Sequence, residues 1–180
     1  MGATLIEMPL IGTLTGSDIA ERGWPTCGAA LENHLHAAED RALNEWVETT
    51  GYGRRSPQGT VRNDLEARFR RLQCLHRMAG HRRHAMQCAA LGFPAEGRQH
   101  FRMITPALRL EYAAWRLYGR APSADNRKVL DLVLLVINSG LRRDSRRTSG
   151  WRQSRAGLAD HPLTARIDVY LEGVARQEWW

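Results

Sequence analysis

Four residues near the start of the chain are of types that can perform acid–base or metal chemistry. His34 and His36 are followed closely by Glu39 and Asp40. In a helix, His36 and Asp40 would share a face because residues four apart are neighbours, whereas His34 and His36 would point in roughly opposite directions. The spacing therefore favours a solvated helix face with a local His–Asp pair, and we predict no metal or catalytic role for this group.

A second group combines thiols with imidazoles, which are the ligands that zinc prefers. Cys74, His81, His84 and Cys88 would share one face of a continuous helix. Such a helix would spread them over about 21 Å, at 1.5 Å per residue, whereas a zinc ion requires convergent ligands. A kink at Gly80 would fold His81, His84 and Cys88 back toward Cys74, so a zinc site remains the alternative interpretation. We predict buried thiols beside a basic histidine face, with no bound metal and no cofactor.

The common nucleotide-hydrolysis and esterase motifs are missing from the sequence. A phosphate-binding loop of the Walker type needs a lysine after a glycine, but the only lysine, Lys128, follows Arg127. Neither a Gly-x-Gly-x-x-Gly fingerprint nor a Gly-x-Ser-x-Gly turn occurs. The sequence predicts a protein that is not an enzyme.

Positive charge is the most informative property of this chain. The net charge is +7 and the pI is near 10.1, with 26 basic residues of which 25 are arginines. Residues 1–50 hold two arginines against eight carboxylates, residues 51–103 hold eleven against three, and residues 120–155 hold nine basic groups against three acids. Codon use in a GC-rich genome is one interpretation of the preference for arginine over lysine, but codon use does not set the net charge. We expect an anionic partner for the two basic blocks, although the acidic first segment could fold back and screen them.

Guanidinium groups bind phosphate bidentately, and an aromatic ring among them can stack on a base or pack at an interface. We therefore predict DNA or RNA, or a nucleoprotein complex, as the partner, with an acidic protein as the alternative partner. The alternative without any partner is a solvated surface held by internal salt bridges, which the scarcity of acids nearby in sequence disfavours. The predicted nucleic-acid-binding residues are Arg82, Arg83, Arg98, Arg102, Arg142, Arg143, Arg146, Arg147, Trp151, Arg152 and Arg155.

Two stretches have the pattern of a helix-turn-helix. In residues 83–101, a short turn follows Ala89, Leu91 and Gly92, and Arg98 and Gln99 would lie on a recognition helix. Residues 127–158 contain a run from Arg127 to Val133, then Gly140-Leu141, then Gly150-Trp151 before a basic segment. This second stretch resembles the sigma region-4 type of helix-turn-helix in phage transcription regulators, including antiterminators. It departs from that family at residues 142–149, which offer no aliphatic side chain where the family buries two or three. The resemblance implies a transcription or RNA-polymerase regulator of a phage or mobile element.

The elements that carry these residues are predicted to be helices. We expect an all-α bundle of five to seven helices, with an irregular lead-in over residues 1–25 and a single helical domain over residues 26–180. That domain could be subdivided at residues 51–60 or 119–124. The predicted helices cover about 26–49, 63–80, 81–91, 95–104, 105–119, 123–140 and 162–177, from amphipathic spacing, capping residues and glycine stops.

Membrane and secreted classes do not fit the composition. The longest apolar run, Leu132 to Ile137, is far shorter than the roughly 20 residues of a membrane span. Glu7 and Pro9 lie where a signal peptide would be apolar. Three cysteines form an odd, sparse set that argues for a reducing compartment. We expect a cytoplasmic protein without a membrane partner.

Overall fold

A computed structural model describes residues 28–50, 59–141 and 149–176, and all regular secondary structure within these ranges is helical. Six α-helices occur in them, which confirms the all-α prediction of five to seven. The lead-in over residues 1–25 and most of the 51–60 segment lie outside the described residues. The helices are α1 (Gly28–Thr50), α2 (Gly59–Ala90), α3 (Pro94–Arg120), α4 (Ala124–Leu141), α5 (Ser149–Arg155), then a 3-10 turn (Ala156–Leu158), and α6 (Thr164–Ala175).

The first three helices enclose one hydrophobic cluster. The predicted apolar stripe of α1 faces α2, with Leu31 and Leu35 each only 2% exposed. Leu108 and Tyr112 of α3 complete this cluster, as their helical spacing predicted. Its buried members are Leu31, Leu35, Cys74, Leu75, Met78, Ala79, Leu108 and Tyr112.

A second cluster joins α3 to the C-terminal helices. Helix α4 is central to it, because Leu130, Val133 and Val136 are completely buried. From α6, Ile167 and Tyr170 pack against the same cluster, as predicted. Burial raises the pKa of the Tyr170 hydroxyl to about 12, so this ring stays neutral in the core. Helix α3 supplies residues to both clusters and so connects the two halves of the bundle.

Helix α2 continues through Gly80, so the predicted break at this glycine is wrong. The helix that we expected to start separately at His81 is the second half of one 32-residue element. A glycine in a helix costs only about 1 kcal/mol relative to alanine. Met78 and Ala79, next to this glycine, are buried against α1 and α3, and the free energy of that burial outweighs the cost.

Helix α3 also runs through a predicted boundary, at Thr105 and Pro106. The sequence places a helix start there, but Pro106 lies inside the helix and Thr105 is 5% exposed. Proline lacks the N–H that would bond four residues back, at a cost of about 3 kcal/mol. Packing of the flanking Ala107 and Leu108, both nearly fully buried, keeps the helix continuous.

Helices α2 and α3 form a long antiparallel hairpin. The N–H of Phe93 bonds to the carbonyl of Cys88 at 2.8 Å and that of Gly92 to Ala89 at 3.2 Å, the pattern of a Schellman helix end. Gly92 has φ of 89°, which a residue with a side chain adopts only with strain. Close to the turn, a Cβ at Gly97 would stand 2.6 Å from the carbonyl oxygen of Ala85, so only glycine permits this approach.

Helix α4 begins at a predicted capping residue. Ser123 accepts a hydrogen bond from the N–H of Asn126 at 3.1 Å, as an N-cap residue does.

Within the described ranges, the longest apolar stretch of any helix falls short of what crossing a membrane requires.

Candidate nucleic-acid interface

Five arginines form one stripe along α3. At 100° per residue, they fall within about 40° of one another around the helix axis. The stripe extends about 33 Å along the axis at 1.5 Å per residue. Arg98, Arg102 and Arg120 are exposed, and the two between them are half-buried. The members of this α3 arginine stripe are Arg98, Arg102, Arg109, Arg116 and Arg120.

The charge of the stripe is one-sided. Helix α3 carries two carboxylates, Glu96 and Glu111, and both lie roughly 140° to 160° around the helix from the centre of the stripe. Within the described ranges, no ion pair involves Arg98, Arg102 or Arg120. The carboxylates of α3 therefore do not neutralise the side of the helix that carries the stripe.

Arg71 of α2 adds a further guanidinium at one end of the stripe. Burial lowers the pKa of Arg71, and the nearby charges of Arg116 and Arg120 lower it further, against the opposing effects of Tyr112 and Asp64. The Nε of Arg71 donates to the carbonyl oxygen of Ala67 at 3.2 Å, which anchors one side of the guanidinium group. Like charges gathered in this way favour an anion that bridges them.

The sequence identified Arg98 and Arg102 but missed Arg109, Arg116 and Arg120. The spacing of four and seven residues between these arginines would have placed them on one side of a helix. This was not predicted because Thr105-Pro106 indicated the start of a new helix, so the two halves of α3 were treated as separate helices. Arginines on two separate helices have no fixed relative orientation, whereas one continuous helix aligns all five.

Two other predicted contact residues, Arg82 and Arg83, lie on α2 near the hairpin turn. Arg83 forms a bidentate pair with Glu32 of α1, in which Nη2 lies 3.1 Å from Oε1. The hydrogen bond from Arg83 holds the pKa of Glu32 below its ordinary value. Arg82 is half-buried and lines an open groove with Leu31 and Met86. Arg83 is thus committed to a contact within the protein.

The acidic first segment does fold back onto the basic α2, within the described residues. Glu45 lies 2.7 Å from Arg68, and Glu32 pairs with Arg83 at the other end of the interface. Between them, Glu39 Oε2 lies 2.7 Å from His76 Nδ1. Across the three contacts the residue number rises along α1 while it falls along α2, so the two helices are antiparallel. The scarcity of acids near the arginines in sequence therefore overstated the unpaired charge of α2.

Trp151 is buried in the core, which contradicts the prediction that it stacks on a base or packs at an interface with a partner. Its side chain is 1% exposed, and its Nε1 donates a hydrogen bond to Asp168 at 3.0 Å. A ring that is enclosed on both faces offers no surface to a nucleobase. Arg155 pairs with the same Asp168 at 2.8 Å and holds its carboxylate in place. Arg152 is exposed.

The remaining predicted contacts and the second helix-turn-helix fall partly outside the described residues. Arg142, Arg143, Arg146 and Arg147 all lie there. Within 127–158, the structure describes α4 and α5 on either side of them. The resemblance of this stretch to a sigma region-4 motif stays a prediction.

The other predicted helix-turn-helix, over residues 83–101, is a hairpin of long helices. A DNA-binding motif of this type crosses its helices at roughly 90–120°. Here Gly97 approaches Ala85 near the turn, and Gly119 approaches Ala67 more than five helical turns away. The helices lie side by side along this length, so Arg98 belongs to a helix side and not to a projecting recognition helix.

The cysteine–histidine group does not converge into one site. Because α2 is continuous, Cys74 and Cys88 are about 21 Å apart along its axis. Burial, and secondarily the charge of Glu111, raises the pKa of the Cys74 thiol well above its ordinary value. Cys88 Sγ lies 3.6 Å from His84 Nε2.

A different group does converge, between α1 and α2. His36 and Glu39 of α1 meet His76 of α2, with one potential ligand atom from each lying within 4.8 Å of the others. The sequence placed His36 and Glu39 on one helix but could not supply His76, because that contact depends on the register between two helices.

Comparison with known proteins adds no relative. No protein-family model, no curated protein and no solved structure matches this chain.

Proposed function

We propose that this chain is a non-enzymatic nucleic-acid-binding protein whose α3 arginine stripe contacts the phosphate backbone. The observation that carries the proposal is the alignment of five arginines on one side of a single helix, with the carboxylates of that helix on the other side. Backbone phosphates are repeated anions that a line of guanidinium groups can follow.

The dimensions of the stripe suit a nucleic acid. Its length of about 33 Å is close to one turn of duplex DNA, about 34–36 Å. Arg71 broadens the positive surface at the end that carries Arg116 and Arg120. These contacts are to backbone, so the proposed binding depends on charge and shape more than on base sequence.

The biological setting of the proposal is transcription. A regulator of transcription or of RNA polymerase from a phage or mobile element is the setting implied by the resemblance of residues 127–158. The proposed compartment is the cytoplasm, where thiols stay reduced, and Cys74 and Cys88 are both free.

The experiment is a fluorescence-anisotropy titration of labelled single-stranded and duplex oligonucleotides. The test variant replaces Arg98, Arg102 and Arg120 with Gln. We expect its affinity at about 0.1 M salt to fall at least roughly tenfold, because several phosphate contacts are lost together. The matched control removes the same charge from Arg41, Arg77 and Arg166, which are exposed on other helices. Equal losses in the two variants would show that net charge alone matters and would overturn the assignment to α3.

A second candidate function is binding to an acidic protein, and the hairpin turn favours it. Met86, Leu91 and Phe93 are 60%, 75% and 58% exposed, an apolar tip between basic helices. Beside it lies the open groove of about 270 Å³ that includes Leu31 and Arg82. Exposed apolar groups of this kind mark protein contacts.

Competition with polyglutamate separates the two candidates. Under the nucleic-acid proposal, an oligonucleotide binds more tightly than polyglutamate of equal charge, and replacement of Met86, Leu91 and Phe93 with Ser leaves its affinity unchanged. Tighter binding of polyglutamate, weakened by the same three substitutions, would support the protein-binding candidate instead.

A further inference from the structure

The interface between α1 and α2 contains a group of side chains that the proposed nucleic-acid binding does not use. His36 and Glu39 are three residues apart on α1 and so share a face. His76 faces them from α2, because the antiparallel register set by the Glu32–Arg83 and Glu45–Arg68 pairs brings it opposite Glu39. Two elements thus deliver three side chains to one point.

The geometry of this group is close to that of a metal site. Potential ligand atoms of His36, Glu39 and His76 all lie within 4.8 Å of one another. A tetrahedral ion with bonds of about 2.0–2.1 Å holds neighbouring ligand atoms about 3.3 Å apart. The His76 Nδ1 to Glu39 Oε2 distance is 2.7 Å, so these atoms need to separate only slightly. His36 is 60% exposed, and its ring already lies against that of His76, with centroids 5.0 Å apart.

Surrounding groups are placed to orient the ligands. Gln73 donates from Nε2 to Glu39 Oε1 at 3.3 Å, which leaves the other carboxylate oxygen directed toward His76. Asp40 Oδ2 lies 3.6 Å from His36 Nε2, where a carboxylate can fix the ring as it does in many metal sites. The rings of His36 and His76 stack with centroids 5.0 Å apart, so both imidazoles lie on the same side of the interface.

We propose that His36, Glu39 and His76 bind a divalent transition-metal ion such as Zn²⁺, with water as the fourth ligand. Two imidazoles and one carboxylate suit zinc and its neighbours and not magnesium or calcium, which prefer oxygen ligands. Because the ligands come from two helices, the ion would fasten α1 to α2. The predicted His36–Asp40 pair is present, at 3.6 Å with both side chains exposed, and the proposed site adds a third residue from another helix.

The test uses the full-length protein, without an affinity tag, and cobalt(II) and zinc as probes. Cobalt titration should give the visible absorption of a tetrahedral ion without a thiolate-to-metal charge-transfer band, because no thiol belongs to the site. Zinc should displace the cobalt and raise the melting temperature, since an ion that binds only the folded chain stabilises it. His36→Ala and Glu39→Gln should each weaken zinc binding about tenfold or more.

Control variants distinguish this site from the thiol-containing residues. His84→Ala and Cys88→Ala change the nearby Cys88–His84 pair on α2 and should leave cobalt and zinc binding unchanged. The His36→Ala change is at an exposed side chain, so its fold can be verified by circular dichroism before the titration. A charge-transfer band that disappears in Cys88→Ala would overturn the proposal, as would wild-type affinity in His36→Ala or the absence of zinc binding at micromolar concentrations.

Discussion

The indole nitrogen of Trp151 in α5 donates a hydrogen bond to Asp168 in α6, across a distance of 3.0 Å. The same carboxylate accepts a bidentate contact from Arg155, with Nε 2.9 Å from Oδ2. The hydrogen bond from Arg155, then that from Trp151, holds the pKa of Asp168 below its ordinary value despite partial burial. A core aromatic ring and a surface arginine therefore share one acid, which joins a seven-residue helix to the bundle.

Trp151 should matter for stability and not for nucleic-acid affinity. We expect Trp151→Ala to cost about 3–5 kcal/mol, because a fully buried ring leaves a cavity. Trp151→Phe keeps most of the packing but leaves Asp168 without one donor, at a cost of about 1–3 kcal/mol. Urea unfolding measures both values. If Trp151→Phe kept full stability but lost oligonucleotide binding, the ring would be a contact residue after all.

His161 should make stability depend on pH near neutrality. Its Nδ1 accepts from the N–H of Leu163 at 3.2 Å and its Nε2 lies 3.0 Å from Asn126 Oδ1, an arrangement that suits the neutral ring. Burial lowers the pKa of His161 below its ordinary 6.5, against the opposing charge of Asp125. Because the folded-state pKa lies below the unfolded value of 6.5, the neutral ring contributes its full stabilisation above pH 6.5. This contribution is lost as the pH falls through the folded-state pKa, since the unfolded chain then binds the proton more readily.

Thermal melts of the wild type and His161→Gln at pH 8 and pH 5.5 test this dependence. On acidification the melting temperature of the wild type should fall further than that of the variant. The difference in the free energy of unfolding should be about 1 kcal/mol, the size of one hydrogen bond. Parallel loss in both proteins would show that His161 does not contribute.

Gly97, where α3 lies closest to α2 near the hairpin turn, should not tolerate a side chain. Gly97→Ala should destabilise the protein by roughly 1–3 kcal/mol, because its Cβ would overlap the Ala85 carbonyl oxygen and force the helices apart. Gly157→Ala is the matched control, since a Cβ there meets nothing within 4 Å and φ is not positive. We expect the control to change stability by less than about 0.5 kcal/mol. Equal effects in the two variants would contradict the close approach of α2 and α3.

Local patterns in the sequence predicted the fold well and its long-range contacts poorly. The stripe through Leu31 and Leu35 and the Ser123 cap depend on neighbours within a few residues, and both were predicted correctly. Gly80 and Pro106 carry local signals for a helix end, but burial against neighbouring helices overrides them. Trp151 was misassigned because its position among arginines in sequence does not reveal the core position that Asp168 and α6 give it.

The candidate sites were harder to predict for the same reason. Arg116 and Arg98 align only if α3 is continuous, and His76 meets Glu39 only through the register of α1 on α2. The charge excess was visible in composition, but the pairing of arginines on α2 with the acids of α1 depends on how the two helices pack. The stripe on α3 follows from the spacing of its arginines once that helix is continuous.

The salt dependence of oligonucleotide affinity tests the central claim most directly. For duplex DNA, log K falls against log salt with a slope of about −0.9 per phosphate contacted. If the α3 arginine stripe and Arg71 contact phosphate, the wild type should show a steep slope that corresponds to several contacts. The Arg98, Arg102 and Arg120 triple variant should then be shallower by roughly 2–3. A slope that stays the same in this variant, or no binding by the wild type even at low salt, would contradict the account.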